Sequence, residues 1–120
     1  MNVLIDSNII IDFFANNPKA VAEITKYKNV YISVISYIEV MTGLDENESI
    51  LAQDFFDHVK ILWIDQFVAK EAIKLRAQNK IKLPDAIILA TAIVKDLTLI
   101  TRDEGVGLKN NPIVKHPYKI

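Results

Sequence analysis

The sequence predicts an α/β fold: one domain with a central, mainly parallel sheet of four to five strands and helices on both faces. Three observations carry this expectation. Short apolar runs of strand length, each stopped by turn-forming residues, alternate with longer stretches whose apolar residues recur at helical spacing. Strands separated by helices imply right-handed parallel crossovers, which lay helices over both faces of a sheet. No low-complexity tract, internal repeat or Gly/Ser-rich linker divides the 120 residues, and a hydrophobic content of 51% is ample for one core.

Val3 to Ile5 reads as the first strand, stopped by Asp6, Ser7 and Asn8, with a short helix from about Ile9 to Phe14. Pro18 suits the first position of a second helix that runs to about Lys26. Val30 to Ser33 is the next strand. From Ser36 the period becomes helical, with Ile35, Ile38 and Met41 on one side, Ser36 and Glu39 nearer the other, and Gly43 closing the helix. Asp45 to Val59 is amphipathic through Ile50, Leu51, Phe55 and Val59, and Ile61 to Ile64 is a third strand. Phe67 to Asn79 is another amphipathic helix, expected to carry Val68, Ala72, Ile73 and Leu75 inward. After Pro84 and Asp85, the stretch from Ala86 to Val94 is almost without charge, which predicts a helix buried on most sides. Leu97 to Ile100 is a fourth strand, followed by Thr101, Arg102, Asp103 and a Gly-containing turn. The tail from Ile113 to Ile120 is expected to add an edge strand, with Pro117 limiting its pairing.

Composition narrows the function classes. Basic and acidic side chains nearly cancel, 14 against 15, so the chain lacks the global positive charge common in nucleic-acid binders. A bound divalent ion would add positive charge locally, where a phosphate must sit. Cysteine is absent, which excludes a disulfide framework, thiolate metal sites and a cysteine nucleophile. The start enters a strand-like run at once, without the basic and long apolar regions of a secretory signal, and no apolar run approaches membrane-spanning length. A cytoplasmic protein is expected. The mean hydropathy of +0.20 is high for a lone domain and suggests that another chain covers some apolar surface.

Four carboxylates, Asp6, Glu39, Asp85 and Asp103, each stand where an apolar run gives way to a turn or helix. Ligands of parallel α/β sheets bind outside the carboxyl ends of the strands, so acids from four distant segments can meet there. Converging carboxylates repel one another unless a cation lies between them. The hard cation suited to an all-oxygen cluster is Mg²⁺ or Mn²⁺, and hydrolysis of a phosphodiester is the chemistry it usually supports. Each acid also has a local explanation. Asp6 could cap the following helix, Glu39 stands at capping-box spacing from Ser36, Asp85 suits a first helical turn, and Asp103 lies in a polar turn. Their shared position at one sheet edge favours a common site over four separate accidents.

Four segments carry a resemblance. They are Leu4-Ile5-Asp6-Ser7-Asn8, Ser33-Val34-Ile35-Ser36 leading to Glu39 and Gly43, Asp85-Ala86-Ile87-Ile88-Leu89-Ala90-Thr91-Ala92, and Leu99-Ile100-Thr101-Arg102-Asp103. In order, spacing and total length the chain resembles the PIN-domain ribonucleases, and within them the VapC-like toxins of bacterial toxin–antitoxin pairs. The resemblance implies that Asp6, Glu39, Asp85 and Asp103 are catalytic metal ligands for Mg²⁺ or Mn²⁺, and that the activity is endonucleolytic cleavage of RNA. It implies hydroxyl support from Ser7 and Thr101, a homodimer, and a small cognate antitoxin that blocks the site with a basic side chain. One departure stands out: many relatives carry an aspartate and a phenylalanine shortly after the fourth acid, where this chain has Gly105 and Val106.

Around this core, Lys80, Lys82 and Arg102 are candidates to guide an RNA backbone, with solvated surface charge as the alternative. Trp63 and Tyr37 are candidates to stack on a base, with packing as the alternative. His58 and His116 are not needed for the chemistry. Two other classes compete: a phosphoacceptor receiver-like module, which wants an acid pair where Asp6-Ser7 stands, and a PIN-like fold kept only for protein binding. A housekeeping RNA-processing nuclease is a further alternative.

Overall fold

The computed structural model describes residues 1–105 and 107–119; Val106 of the Gly105-Val106 departure and Ile120 at the tail's end lie outside the described residues. Five strands form one sheet: β1 (Asn2–Ile5), β2 (Asn29–Ser33), β3 (Lys60–Leu62), β4 (Thr98–Ile100) and β5 (Val114–Lys115). Every pairing is parallel, in the order β3-β2-β1-β4-β5. The helices are α1 (Ser7–Phe14), α2 (Pro18–Thr25), α3 (Val34–Thr42), α4 (Glu46–Asp57), α5 (Gln66–Gln78) and α6 (Leu83–Lys95). The expected α/β architecture is the one observed.

Alternation along the strands explains why both faces are covered. Leu4 and Leu99 enter one core with Val68 and Ala72 of α5 and Ala86, Leu89 and Ala90 of α6. Their neighbours Val3, Ile5 and Ile100 enter the opposite core with Ile9 and Ile10 of α1, Ala20 and Ile24 of α2, Val40 of α3 and Phe56 of α4. A strand buried on both faces must be apolar at every position, which is why β1 reads as a run and not an alternation. The chain steps from β1 outward to β2 and β3, then crosses back through α5 and α6 to β4 on the far side of β1. The strand order therefore reverses between β1 and β4, and their carboxyl ends flank the crevice where such sheets bind ligands.

Several inward faces differ from expectation. α3 starts at Val34 with Ser33 as its cap, Ser33 Oγ accepting from Ile35 N at 3.1 Å, so the Ser36–Glu39 capping box does not form. Ser36 is instead fully buried, its Oγ unpartnered among the described residues, and Ile38 is exposed. The reason is that α3 touches both cores, Ile35 one and Val40 the other, so its apolar periodicity had two sides to choose from. α4 buries Ala52 and Phe56 and leaves Ile50 and Leu51 in solvent, because Phe56 stacks edge-on against Phe14, Phe55 and Tyr37. Ile73 of α5 is 69% exposed, since Val68 and Ala72 take the contact with α6. β3 ends at Leu62, leaving Trp63 and Ile64 exposed, so Trp63 is no core residue. β5 is the expected edge strand, limited to two residues. Among the described residues no helix is long and apolar enough to cross a membrane.

Glu23 is a buried acid whose role the sequence did not reveal. It accepts from Tyr27 Oη at 2.6 Å and from Lys26 Nζ and Lys115 Nζ at 2.9 Å each, tying α2 to β5. Burial alone would push its carboxyl up, but these donors outweigh it and hold the group at about 2. A depressed folded value contributes stability that is present above the unfolded value of 4.5 and is lost as pH falls toward about 2. Glu23→Gln is therefore expected to cost on the order of 2 kcal/mol near neutral pH, a gap that closes as both proteins are acidified. Chemical unfolding at several pH values measures it; a gap that widens on acidification contradicts the assignment.

Candidate active site at the carboxyl edge of the sheet

Asp6 follows β1 directly and Thr101 follows β4, and the ladder continues through them: Asp6 N donates to Ile100 O at 3.0 Å. The two strand ends are thus locked side by side. Asp6 caps α1 as well, its Oδ1 accepting from Ser7 N at 2.8 Å and, more weakly, from Ser7 Oγ at 3.4 Å. The capping role and the site position coexist in one side chain. Thr101 is fully buried and its hydroxyl is a hub: Oγ1 donates to Asp6 Oδ2 at 2.7 Å and accepts from Asn8 Nδ2 at 3.1 Å and Asp103 N at 3.0 Å. One donated and two accepted bonds exhaust what a hydroxyl offers.

Asp103 lies two residues on, its Oδ1 accepting from Gly105 N at 2.8 Å. A Cβ at Gly105 would come to 3.0 Å from that same oxygen, so glycine here leaves room for the Asp103 carboxylate. Asp85 occupies the first turn of α6, which opens at Lys82 with no side-chain cap, and is half-buried; Glu39 is exposed on α3.

Electrostatics bind the four acids together. Burial pushes the Asp6 carboxyl above the ordinary carboxylate range, bonds from Thr101 and Ser7 pull it back in part, and the charge on Asp103 pushes it further. Burial likewise raises Asp85, and the charges of Asp103, Asp6 and Glu39 add to the effect, with Lys82 opposing. Like charges converging at a partly buried edge raise one another's carboxyls, and acids perturbed in this way cluster at functional sites. Among the described residues no three His, Cys, Asp or Glu side chains stand grouped as a ready-made metal cage. The donor chemistry nevertheless suits a hard ion, being carboxylate oxygen alone.

The other candidates divide. Arg102 is partly exposed and its guanidinium is held by Asp12, with Nε to Oδ2 at 2.7 Å and Nη2 to Oδ1 at 3.2 Å. Lys80 and Lys82 are exposed, and Lys82 is the one whose charge reaches Asp85. Tyr37 belongs to the aromatic cluster on α4, with its hydroxyl donating to Gln53 at 3.1 Å. His58 ends α4 against Asp54 O, and His116 sits against Thr101 O at 2.9 Å. Asn8 reads in the sequence only as a turn former, and Asp12 carries no expected role. They stand four residues apart on an otherwise apolar α1, a polar stripe that was the available signal.

The architecture is that of a parallel α/β domain with carboxylates just beyond β1 and β4, at the point where the strand order reverses. The chain belongs to the PIN domain family, whose model matches residues 3–110. It is similar over 98% of its length to a chain of the toxin-antitoxin complex from Klebsiella pneumoniae, 99% of which is covered, with 36% identity and a TM-score of 0.92. A chain of VapBC-1 from nontypeable Haemophilus influenzae matches with 27% identity and a TM-score of 0.69, covering 86% of this chain and 87% of that one. An uncharacterized protein of Archaeoglobus fulgidus is 49% identical over 43 residues, which are 36% of this chain and 69% of that protein.

Proposed function

We propose that this protein is the VapC-like toxin of a toxin–antitoxin pair, an endoribonuclease dependent on Mg²⁺ or Mn²⁺. The observation that carries the reading is the placement of acids at one sheet edge, where the charge of Asp103 raises the Asp6 carboxyl and the charges of Asp103, Asp6 and Glu39 raise that of Asp85. Likeness to a toxin–antitoxin complex over nearly the whole chain supports it.

Asp6, Asp85 and Asp103 would hold the metal, and Glu39, more exposed, would complete the cluster or position the attacking water. The ion, when bound, supplies an acidified water and neutralises charge on the phosphate, for hydrolysis that leaves a 5′-phosphate and a 3′-hydroxyl. The remaining work falls to the protein. The Thr101 hydroxyl and the Ser7 backbone N–H fix the two Asp6 oxygens in orientation, with the Ser7 hydroxyl adding a weaker contact at 3.4 Å, as partners around a ligating carboxylate do. Lys82, beside Asp85, brings positive charge to the edge where a phosphate backbone would pass.

The same surface suits a blocking antitoxin. An apolar groove between α1 and α3, floored by Ile11, Phe14, Val40 and Leu44, runs up to Glu39 and Glu48. An apolar segment ending in a basic side chain would fill it and cap the acids. A homodimer fits the other side, where Ile64, Ile73, Leu83 and Ile87 line an apolar groove along α5 and α6.

The test is cleavage of end-labelled single-stranded RNA, with a DNA of matching sequence alongside, in Mn²⁺, Mg²⁺ or EDTA. Wild type is expected to cut RNA internally with either metal, to stop in EDTA, and to lose activity in Asp6→Asn. Cleavage that persists in EDTA, or an Asp6→Asn variant as fast as wild type, would remove the metal-nuclease reading.

A further inference from the structure

The Asp103 carboxylate is anchored locally. Among the described residues it bonds only within its own turn, to Gly105 N at 2.8 Å, so its placement depends on how the backbone at Thr101 and Arg102 is held. That backbone is held from two sides. Arg102 N donates to Asn8 Oδ1 at 3.1 Å, and Thr101 N donates to Lys115 O at 3.1 Å. His116 Nδ1 lies 2.9 Å from Thr101 O, and since a carbonyl can only accept, Nδ1 carries the hydrogen.

The Arg102 side chain completes the grip. Asp12, buried on α1, accepts from Arg102 Nε at 2.7 Å and Nη2 at 3.2 Å, and its Oδ2 also accepts from Tyr118 Oη at 2.8 Å. A two-pronged arginine–carboxylate pair fixes direction as well as distance. Asp12 is nearly buried while the Arg102 side chain keeps 31% of its surface exposed, and a pair open to solvent on one side adds little to stability. Its distinctive product is a fixed geometry, here of the turn that carries Asp103.

We propose that Asp12, assisted by Tyr118, is a positioning residue that acts through Arg102 to set Asp103 against Asp6 for divalent-metal binding. The inference rests on the metal-nuclease reading above. It also gives the Arg102 charge a partner on α1, next to the Tyr118 hydroxyl of the tail.

Mn²⁺ affinity of the protein, measured by calorimetry, tests it for wild type, Asp12→Asn and Tyr118→Phe, with Asp65→Ala, which loses the α5 cap and the Lys95 ion pair, as a control destabilised elsewhere. Melting in EDTA reports folding of each. Asp12→Asn is expected to weaken Mn²⁺ by roughly 10–100-fold, the range typical of residues that orient metal ligands, with cleavage recovering in excess Mn²⁺. Tyr118→Phe is expected to weaken it by a smaller factor, and Asp65→Ala to leave it unchanged. Folded variants that bind Mn²⁺ as wild type does would overturn the proposal, as would an equal loss in Asp65→Ala. If Asp12→Asn does not fold, Tyr118→Phe decides: unchanged affinity there rejects the inference. Wild type that neither binds Mn²⁺ nor cuts RNA overturns the metal-nuclease reading itself, a result distinct from normal wild-type binding with indifferent variants.

Discussion

Asp85→Asn is expected to slow metal-dependent RNA cleavage by on the order of a thousandfold while raising the melting temperature of the metal-free protein. The loss follows from removing one carboxylate from the set proposed to hold the ion, whose charge stabilisation would amount to several kcal/mol. The gain follows from relieving strain between like charges. Burial raises the Asp85 carboxyl above its ordinary 3.8, and Asp103, Asp6 and Glu39 raise it further. A carboxyl whose folded value is raised binds protons more readily in the folded state, so its contribution is greatest at low pH and is lost as pH rises through the raised value. Metal-free wild type should therefore gain stability from this edge on mild acidification from neutral pH, until the loss at Glu23 below 4.5 takes over. Asp85→Asn should show a smaller gain. Melting in EDTA between neutral pH and about pH 4, beside single-turnover cleavage in Mn²⁺, measures both halves. A variant that melts below wild type in EDTA, or cuts at the wild-type rate, would contradict the account.

The largest loss of stability is expected at Thr101→Val. Valine keeps the volume of a fully buried side chain and removes the one hydroxyl that joins Asp6, Asn8 and the Asp103 amide. Such a swap is not conservative, because it strands a buried carboxylate oxygen and two N–H donors. The cost is about 3 kcal/mol, which for a domain of this size lowers the melting temperature by roughly 10 °C. Asp6 also loses a bond that pulls its carboxyl down, so any remaining Mn²⁺ binding should shift to higher pH. Thr101→Ser, which retains the hydroxyl, separates this effect from loss of the methyl group and should melt far closer to wild type. Equal melting of Thr101→Val and wild type would mean that the hub carries no energy.

How much of this was legible depends on how local the physics is. The strands were legible because a strand buried on both faces has no polar position to hide it, and Val3 to Ile5 and Leu99 to Ile100 show this plainly. The positions of Asp6, Asp85 and Asp103 were legible for a related reason, since a carboxylate that interrupts an apolar run is visible in one dimension. The inward faces of α3, α4 and α5 were not. Ile38, Ile50, Leu51 and Ile73 are as apolar as the residues buried in their place, and only contact with a particular neighbour separates them.

The sequence by itself determined the alternation of strands and helices, and hence the parallel sheet and the edge at which its acids must lie, because periodicity and chain connectivity are properties of the chain alone. The tertiary structure decided what holds those acids. Thr101 as a hub, the Asn8 and Asp12 stripe on α1, the pairing of Arg102 with Asp12 and the tail's grip through His116 and Tyr118 all join residues separated by about ninety positions or more, or by fifteen across a turn. Hydrogen bonds act over a few ångströms in space and carry no trace along the sequence, so such partners become visible only when the strands that bear them are brought side by side.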